Sequence, residues 1–312
     1  MAGRELIVLG TSSQVPTRQR NHHGCFLRWD DEGLLFDPGE GTQRQMVHHG
    51  IAATRITRLL MTHFHGDHCL GAAGLCQRIS LDRVEHPVSV YYPASGETYW
   101  HRLRYASIYH DAARLEETPI HADGVLDATP NLVLAARRLD HSVDCFGYRV
   151  SEPAGRTMLP ERLEAAGIRG RAISTLIERG QLEVDGRVVT LDEMSVPRHG
   201  QAMAFVMDTR RCEAAVELAR DVDLLVIEST YLSSHAREAQ AYGHLTAREA
   251  AEIGREAGAR RVVLTHFSQR FQRVEDFLEE ASAVHPDVVA ARDGDRIPLP
   301  HRRQSPLPED ER

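Results

Sequence analysis

Residues 62–68 read Thr62-His63-Phe64-His65-Gly66-Asp67-His68 and follow the mainly apolar run 56–61. A buried strand ending in this loop sends His63 and His65 out on the same side, because alternate residues of an extended chain share a face. Gly66 permits a sharp turn, and Asp67 and His68 then point back from the start of the next helix. One short loop thus presents three imidazoles and a carboxylate. From the chain's own His and Asp content, this H-x-H-x-D-H spacing would arise by chance in roughly one such chain in 250. Clustering four such side chains brings no folding benefit unless something binds them. The pattern therefore predicts a metal centre. Four strong donors exceed the needs of one catalytic zinc, which takes three protein ligands and a water, so two ions and about three further ligands are expected.

Working outward, several apolar runs end the same way. Residues 34–36 run into Asp37, 204–207 into Asp208, 224–227 into Glu228, and 262–264 into Thr265-His266. Open α/β sheets bind ligands beyond the carboxyl ends of their strands, so such residues converge on one rim. His141 (in Leu139-Asp140-His141-Ser142), Asp208 and His266 are the candidate remaining ligands. A carboxylate such as Asp208 can bridge two ions; an imidazole cannot. Glu228 and His244, the latter in Tyr242-Gly243-His244-Leu245-Thr246, form a candidate general-acid pair, a histidine oriented by a carboxylate.

Helical periodicity covers 42–48, 69–80 and 96–109. Thr246-Ala247-Arg248-Glu249 is a capping box whose helix stops near Gly258. Residues 155–200 differ, with short helical patches, several glycines and little strand signal, and read as an insertion projecting from the core. Short strands alternating with helices predict an α/β or layered α+β class. The domain expectation is one catalytic domain over 1–299 carrying that insertion, with a disordered polar tail at 300–312.

The 312 residues are 42% hydrophobic and 26% charged, ordinary for a protein with a sizeable core. No apolar run is long enough to span a membrane, and no signal peptide is evident. Five cysteines, none in CxxC spacing, argue against a disulfide framework and point to a reducing cytoplasm. The net charge of −8 excludes a blanket polyanion binder, so any nucleic-acid contact must be local. Every basic residue is Arg, and histidine, the commonest metal ligand, is abundant at 18.

Together these residues resemble the metallo-β-lactamase superfamily and, within it, the ribonuclease Z family. The resemblance runs in order along nearly the whole chain. It takes in Gly10-Thr11-Ser12-Ser13-Gln14-Val15-Pro16, Leu35-Phe36-Asp37-Pro38-Gly39-Glu40-Gly41-Thr42-Gln43, the 62–71 motif, Asp208-Thr209-Arg210, Glu228-Ser229-Thr230, His244-Leu245-Thr246 and Thr265-His266-Phe267-Ser268. The metal motif alone specifies only the superfamily; the Gly41-Thr42-Gln43 segment narrows it. The resemblance implies a four-layer αββα sandwich, a homodimer, and removal of the 3′ trailer from precursor tRNA. It implies one Zn2+ on His63, His65 and His141, a second on Asp67, His68 and His266, and Asp208 bridging both; by ligand chemistry a mixed His/carboxylate site would also fit Mn2+ or Fe2+. Asp67 would orient and deprotonate the attacking water, and His244, steadied by Glu228, would protonate the leaving oxygen. The 155–200 insertion would be the arm that grips the tRNA elbow.

Two departures stand out. The arm lacks the family's Gly-Pro stretch, reading Gly167-Ile168-Arg169-Gly170-Arg171, and its charge is balanced, with seven Arg and seven acidic residues over 156–198. A relative acting on a small phosphodiester, lactone or thioester would share the metal cluster; the insertion and the Glu228/His244 pair weigh against it. A closed structural zinc site would be Cys-rich, and no cysteine joins this cluster.

Overall fold

The computed structural model describes residues 3–301. The tail expected to be disordered lies, from residue 302 on, outside the described residues. The chain divides into two compact units, Ser151–Gln201 with Pro130–Leu132 forming the smaller one.

Two seven-stranded sheets build the larger unit. The first runs Arg296–Pro298, Glu5–Gly10, Gly24–Trp29, Glu32–Phe36, Arg58–Leu60, Val88–Pro93, Leu115–Ile120; it is antiparallel up to Glu32–Phe36 and parallel beyond. In the second, Ala202–Val206, Leu224–Glu228, Arg261–Thr265 and Val288–Ala290 are successive parallel neighbours.

Period-two alternation explains the layering. In Ala202–Val206, Ala202, Ala204 and Val206 pack on helices Glu213–Leu218 and Ala247–Glu256. Phe205 points the other way and stacks on Phe36 of the first sheet, ring centroids 4.6 Å apart. Tyr148 also crosses the gap, donating to the Met61 carbonyl at 2.7 Å. The outer face of the first sheet packs on Thr42–His48, Ala72–Leu81 and Glu97–Arg104 through Met46, Leu75, Ile79 and Trp100. The result is the αββα sandwich of the metallo-β-lactamase fold.

Parallel registers place the chemistry. Phe36 pairs with Leu60, and Glu228 with Thr265, so each sheet ends its strands side by side on the site's rim. Asp37, Asp208 and His266, each just past such an end, have left-handed backbones (φ 43°, 24° and 63°). Strain of this kind persists only where surrounding contacts fix it, and it clusters at working sites.

Three local readings are corrected. The helix expected over 69–80 is two, Gly66–Cys69 and Ala72–Leu81. The break comes where Gly71 meets the Asp37–Gly41 loop: a Cβ there would lie 2.1 Å from the Gly39 carbonyl. The helix expected over 96–109 ends at Arg104. Residues 155–200 hold two strand pairs, Gly155–Met158 with Ser195–Arg198 and Gln181–Val184 with Arg187–Thr190. These strands are four residues long and almost wholly half-buried or exposed, which left no apolar signal to read.

The smaller unit has its own core of Leu163, Ile168, Leu176, Val189 and Met194. Four of its arginines pair within it: Arg156 with Asp192, Arg169 with Glu164, Arg187 with Glu193 and Arg198 with Glu152. Arg171 and Arg179, at the two ends of helix Arg171–Arg179, are exposed and have no acidic partner among the described residues.

Candidate metal centre

All seven residues expected as ligands come together. His63 Nε2 lies 3.0 Å from His65 Nδ1 and 3.5 Å from Asp208 Oδ2. His141 Nε2 lies 3.3 Å from His65 Nδ1 and 3.7 Å from Asp208 Oδ2. In the second group, His68 Nε2 is 3.0 Å from His266 Nε2, and both are 3.4 Å from Asp208 Oδ1. Asp67 Oδ2 is 3.4 Å from His68 Nε2 and 3.3 Å from His266 Nε2. A tetrahedron with metal–nitrogen bonds of 2.0–2.1 Å has edges of about 3.3 Å. Both groups have that size, and Asp208 gives one oxygen to each.

The far ring atoms show why these atoms face inward. The Thr62 hydroxyl donates to Asp37 at 2.7 Å, so its oxygen accepts from His63 Nδ1 at 3.0 Å. Asp37 also accepts from His68 Nδ1 at 2.8 Å, and the Gly243 carbonyl accepts from His141 Nδ1 at 2.9 Å. The Thr230 hydroxyl donates to Glu228 at 2.6 Å and accepts from His266 Nδ1 at 2.8 Å. With these four Nδ1 protons committed, the four Nε2 lone pairs converge at contact distance, joined by Nδ1 of His65. Asp208 Oδ1 is buried without a hydrogen-bond partner. Converging lone pairs and an orphaned carboxylate oxygen are the donor set of a divalent cation.

Glu228 and His244 are also joined. His244 Nδ1 donates to Glu228 Oε1 at 3.0 Å, and Thr209 N donates to the same oxygen at 2.9 Å. The His244 ring lies 5.4 Å from that of His141 and 5.7 Å from that of His266.

Residues 25–150 match the metallo-β-lactamase superfamily and 187–267 the β-lactamase superfamily domain. A protein named ribonuclease Z from Nocardia farcinica is 56% identical over 97% of this chain and all of its own length. The chain belongs to the ribonuclease Z family. A second ribonuclease Z, from Chlamydia trachomatis, is 46% identical over 94% of this chain and 96% of its own. The solved structure of human tRNase Z, short form, shares the fold with a TM-score of 0.68 at 24% identity, over 95% of this chain and 99% of that one.

In this ribonuclease Z family member the electrostatics suit a cation. Burial and the neighbouring His68 hold His63 well below its ordinary value, keeping it neutral. Burial would lower His68 too, but Asp208, Asp67 and Asp37 raise it well above that value. Three carboxylates around one imidazole demand positive charge. Against burial, His68 and His266 hold Asp67 well below the carboxylate range, and His266, His68 and His244 do the same for Asp208. Burial is likewise overcome at His244, which Glu228 and Asp208 raise to about 9.

The centre opens into a cleft of about 660 Å³ lined by His65, Asp67, His141, Asp208, His244 and His266, with Tyr231, Tyr242 and Arg270. Three supporting residues went unread in the sequence. Asp37 stood at a strand end but was given no role. Thr230 lay inside a quoted stretch without one. His23, fully buried, packs its ring 5.5 Å from His68 and 5.8 Å from His266. Among the described residues no helix is long and apolar enough to cross a membrane.

Proposed function

We propose that this protein is a zinc-dependent endonuclease that removes the 3′ trailer from precursor tRNA. Membership of the ribonuclease Z family makes it a hydrolase acting on RNA. His63, His65 and His141 would hold one Zn2+, Asp67, His68 and His266 a second, and Asp208 both. When bound, two such ions clamp a phosphodiester and make water a nucleophile at neutral pH. Asp67, on the cleft wall, orients the attacking water and takes its proton. The water oxygen bonds to phosphorus as the bond to the 3′ oxygen of the upstream nucleotide breaks. His244, held by Glu228, gives that oxygen its proton. The tRNA leaves with a 3′-OH and the trailer with a 5′-phosphate. No attack by a ribose 2′-OH is needed, so preference for RNA comes from shape. The protein acts as a cytoplasmic homodimer, and the 155–200 arm holds the tRNA elbow.

The observation that carries this reading is the Asp208 carboxylate, one oxygen toward each group of donors, with His244 close by. Gel mapping of the cut on one precursor tRNA tests it, with chelator and with restored zinc. A cut at the 3′ end of the mature tRNA, lost with chelator and regained with zinc, is the expected result. Turnover of a small phosphodiester with no cut in precursor tRNA would sink it.

A further inference from the structure

The Thr230 hydroxyl stands between the second group of cation donors and the proton-donor pair. It has one proton and gives it to Glu228 Oε2 at 2.6 Å, so its oxygen accepts from His266 Nδ1 at 2.8 Å. Glu228, 0% exposed, takes His244 Nδ1 on its other oxygen at 3.0 Å. A continuous path runs His266–Thr230–Glu228–His244. Its middle is fastened to the backbone: Thr230 N also donates to Glu228 Oε2, and Thr209 N, next to the bridging Asp208, donates to Oε1.

We infer that Thr230 is a positioning residue that ties the His244 donor to the second cation site, so that one hydroxyl sets both the His266 ligand and the direction of the Glu228–His244 pair. This rests on the two-cation reading with His244 as donor. The reason lies in the polar bookkeeping of a buried site. Valine has nearly the shape of threonine but no hydroxyl. It would leave the buried His266 Nδ1–H without a partner and Glu228 Oε2 with the Thr230 backbone N–H alone, losses that buried polar groups tolerate poorly. Both would turn to find others. Orienting partners of metal ligands typically change affinity or activity by about 10–100-fold.

The experiment compares wild type, Thr230→Val and Thr230→Ser. Metal-free protein is titrated with Zn2+ against a chromophoric chelator, and kcat and KM are measured at saturating zinc on a precursor tRNA and on bis-(p-nitrophenyl) phosphate, whose leaving group needs no proton. For Thr230→Val the first zinc should bind as in wild type, which also reports a sound fold, and the second about 10–100-fold more weakly. Its kcat on precursor tRNA should fall by a similar factor at unchanged KM, and by clearly less on the aryl ester. Thr230→Ser should recover both properties. Wild-type affinity for the second zinc in Thr230→Val would overturn the inference. So would equal losses on the two substrates, which would mean no link to the donor. A serine variant as impaired as the valine variant would assign the effect to shape rather than to the hydroxyl. The zinc titration needs no substrate, so failure of the wild type to cut precursor tRNA sinks the proposed function and leaves this test standing.

Discussion

The two halves of the metal centre are built with the same parts and end differently. On one side His63 donates to a threonine hydroxyl, Thr62, which donates to the buried Asp37. On the other, His266 donates to Thr230, which donates to the buried Glu228. Asp37 turns back onto a second ligand, His68, and its carboxylate serves only to hold. Glu228 instead faces His244. One device, a carboxylate behind a hydroxyl behind an imidazole, thus fixes candidate ligands in the first case and holds the proposed proton donor in the second. The difference teaches that the proposed acid is wired into the centre rather than placed beside it.

Asp208 joins the halves, so its loss is the most damaging change. Asp208→Ala is expected to hold neither zinc firmly and to show no detectable cutting of precursor tRNA; metal analysis by plasma mass spectrometry checks the first point. Retention of two firmly held ions would break the symmetry argued above. Next comes His244→Ala, which should keep both ions and lose about 10²–10⁴-fold in kcat on precursor tRNA. Asp67→Ala should also keep its fold and lose cleavage.

The pH dependence sharpens the contrast. As the proposed donor His244 would act protonated, and Glu228 helps raise it to about 9 despite burial. Activity that depends on it is therefore present below that value and lost as pH rises through it. Glu228→Gln removes the raising charge, so the alkaline limb of the kcat profile should move to lower pH. Asp37→Asn should leave that limb in place and weaken zinc binding by about 10–100-fold. The same alkaline shift in both variants would show that the two carboxylates do not divide the labour as described.

How much of this was readable follows from distance along the chain. His63, His65, Asp67 and His68 are neighbours in sequence, and alternation with a turn sufficed to bring them together. Asp208 and His266 were legible as polar residues ending apolar runs, because parallel strands in register finish on one rim; His141 was legible only as a polar residue past an apolar run, its strand Val133–Arg138 pairing antiparallel with Gly124–Ala128. Asp37 and Thr230 were not given roles. Their function depends on which way a single carboxylate or hydroxyl points across 25 or 36 residues, and no periodicity encodes that. The break at Gly71 was hidden for the same reason, since the backbone it nearly touches, at Gly39, belongs to a distant loop.

In the other unit a deletion and single changes are expected to differ most, and the single changes give the smallest effects. Removing residues 155–200 should spare hydrolysis of bis-(p-nitrophenyl) phosphate and abolish cutting of precursor tRNA. Single changes there should do much less. Arg171→Ala or Arg179→Ala should raise KM for precursor tRNA a few-fold and flatten its salt dependence by about one charge, with kcat untouched. Equal losses on both substrates after the deletion would argue against a recognition role.

The base of that unit has its own consequence. Glu152 N donates to the Gln201 carbonyl at 2.8 Å, and Gly200 passes so close that a Cβ would lie 2.0 Å from the Glu152 carbonyl. The two ends of the Ser151–Gln201 stretch therefore lie side by side, held backbone to backbone. A stretch whose two ends meet in this way can be lengthened, shortened or exchanged at one spot while the strands that lead into it and out of it keep their places.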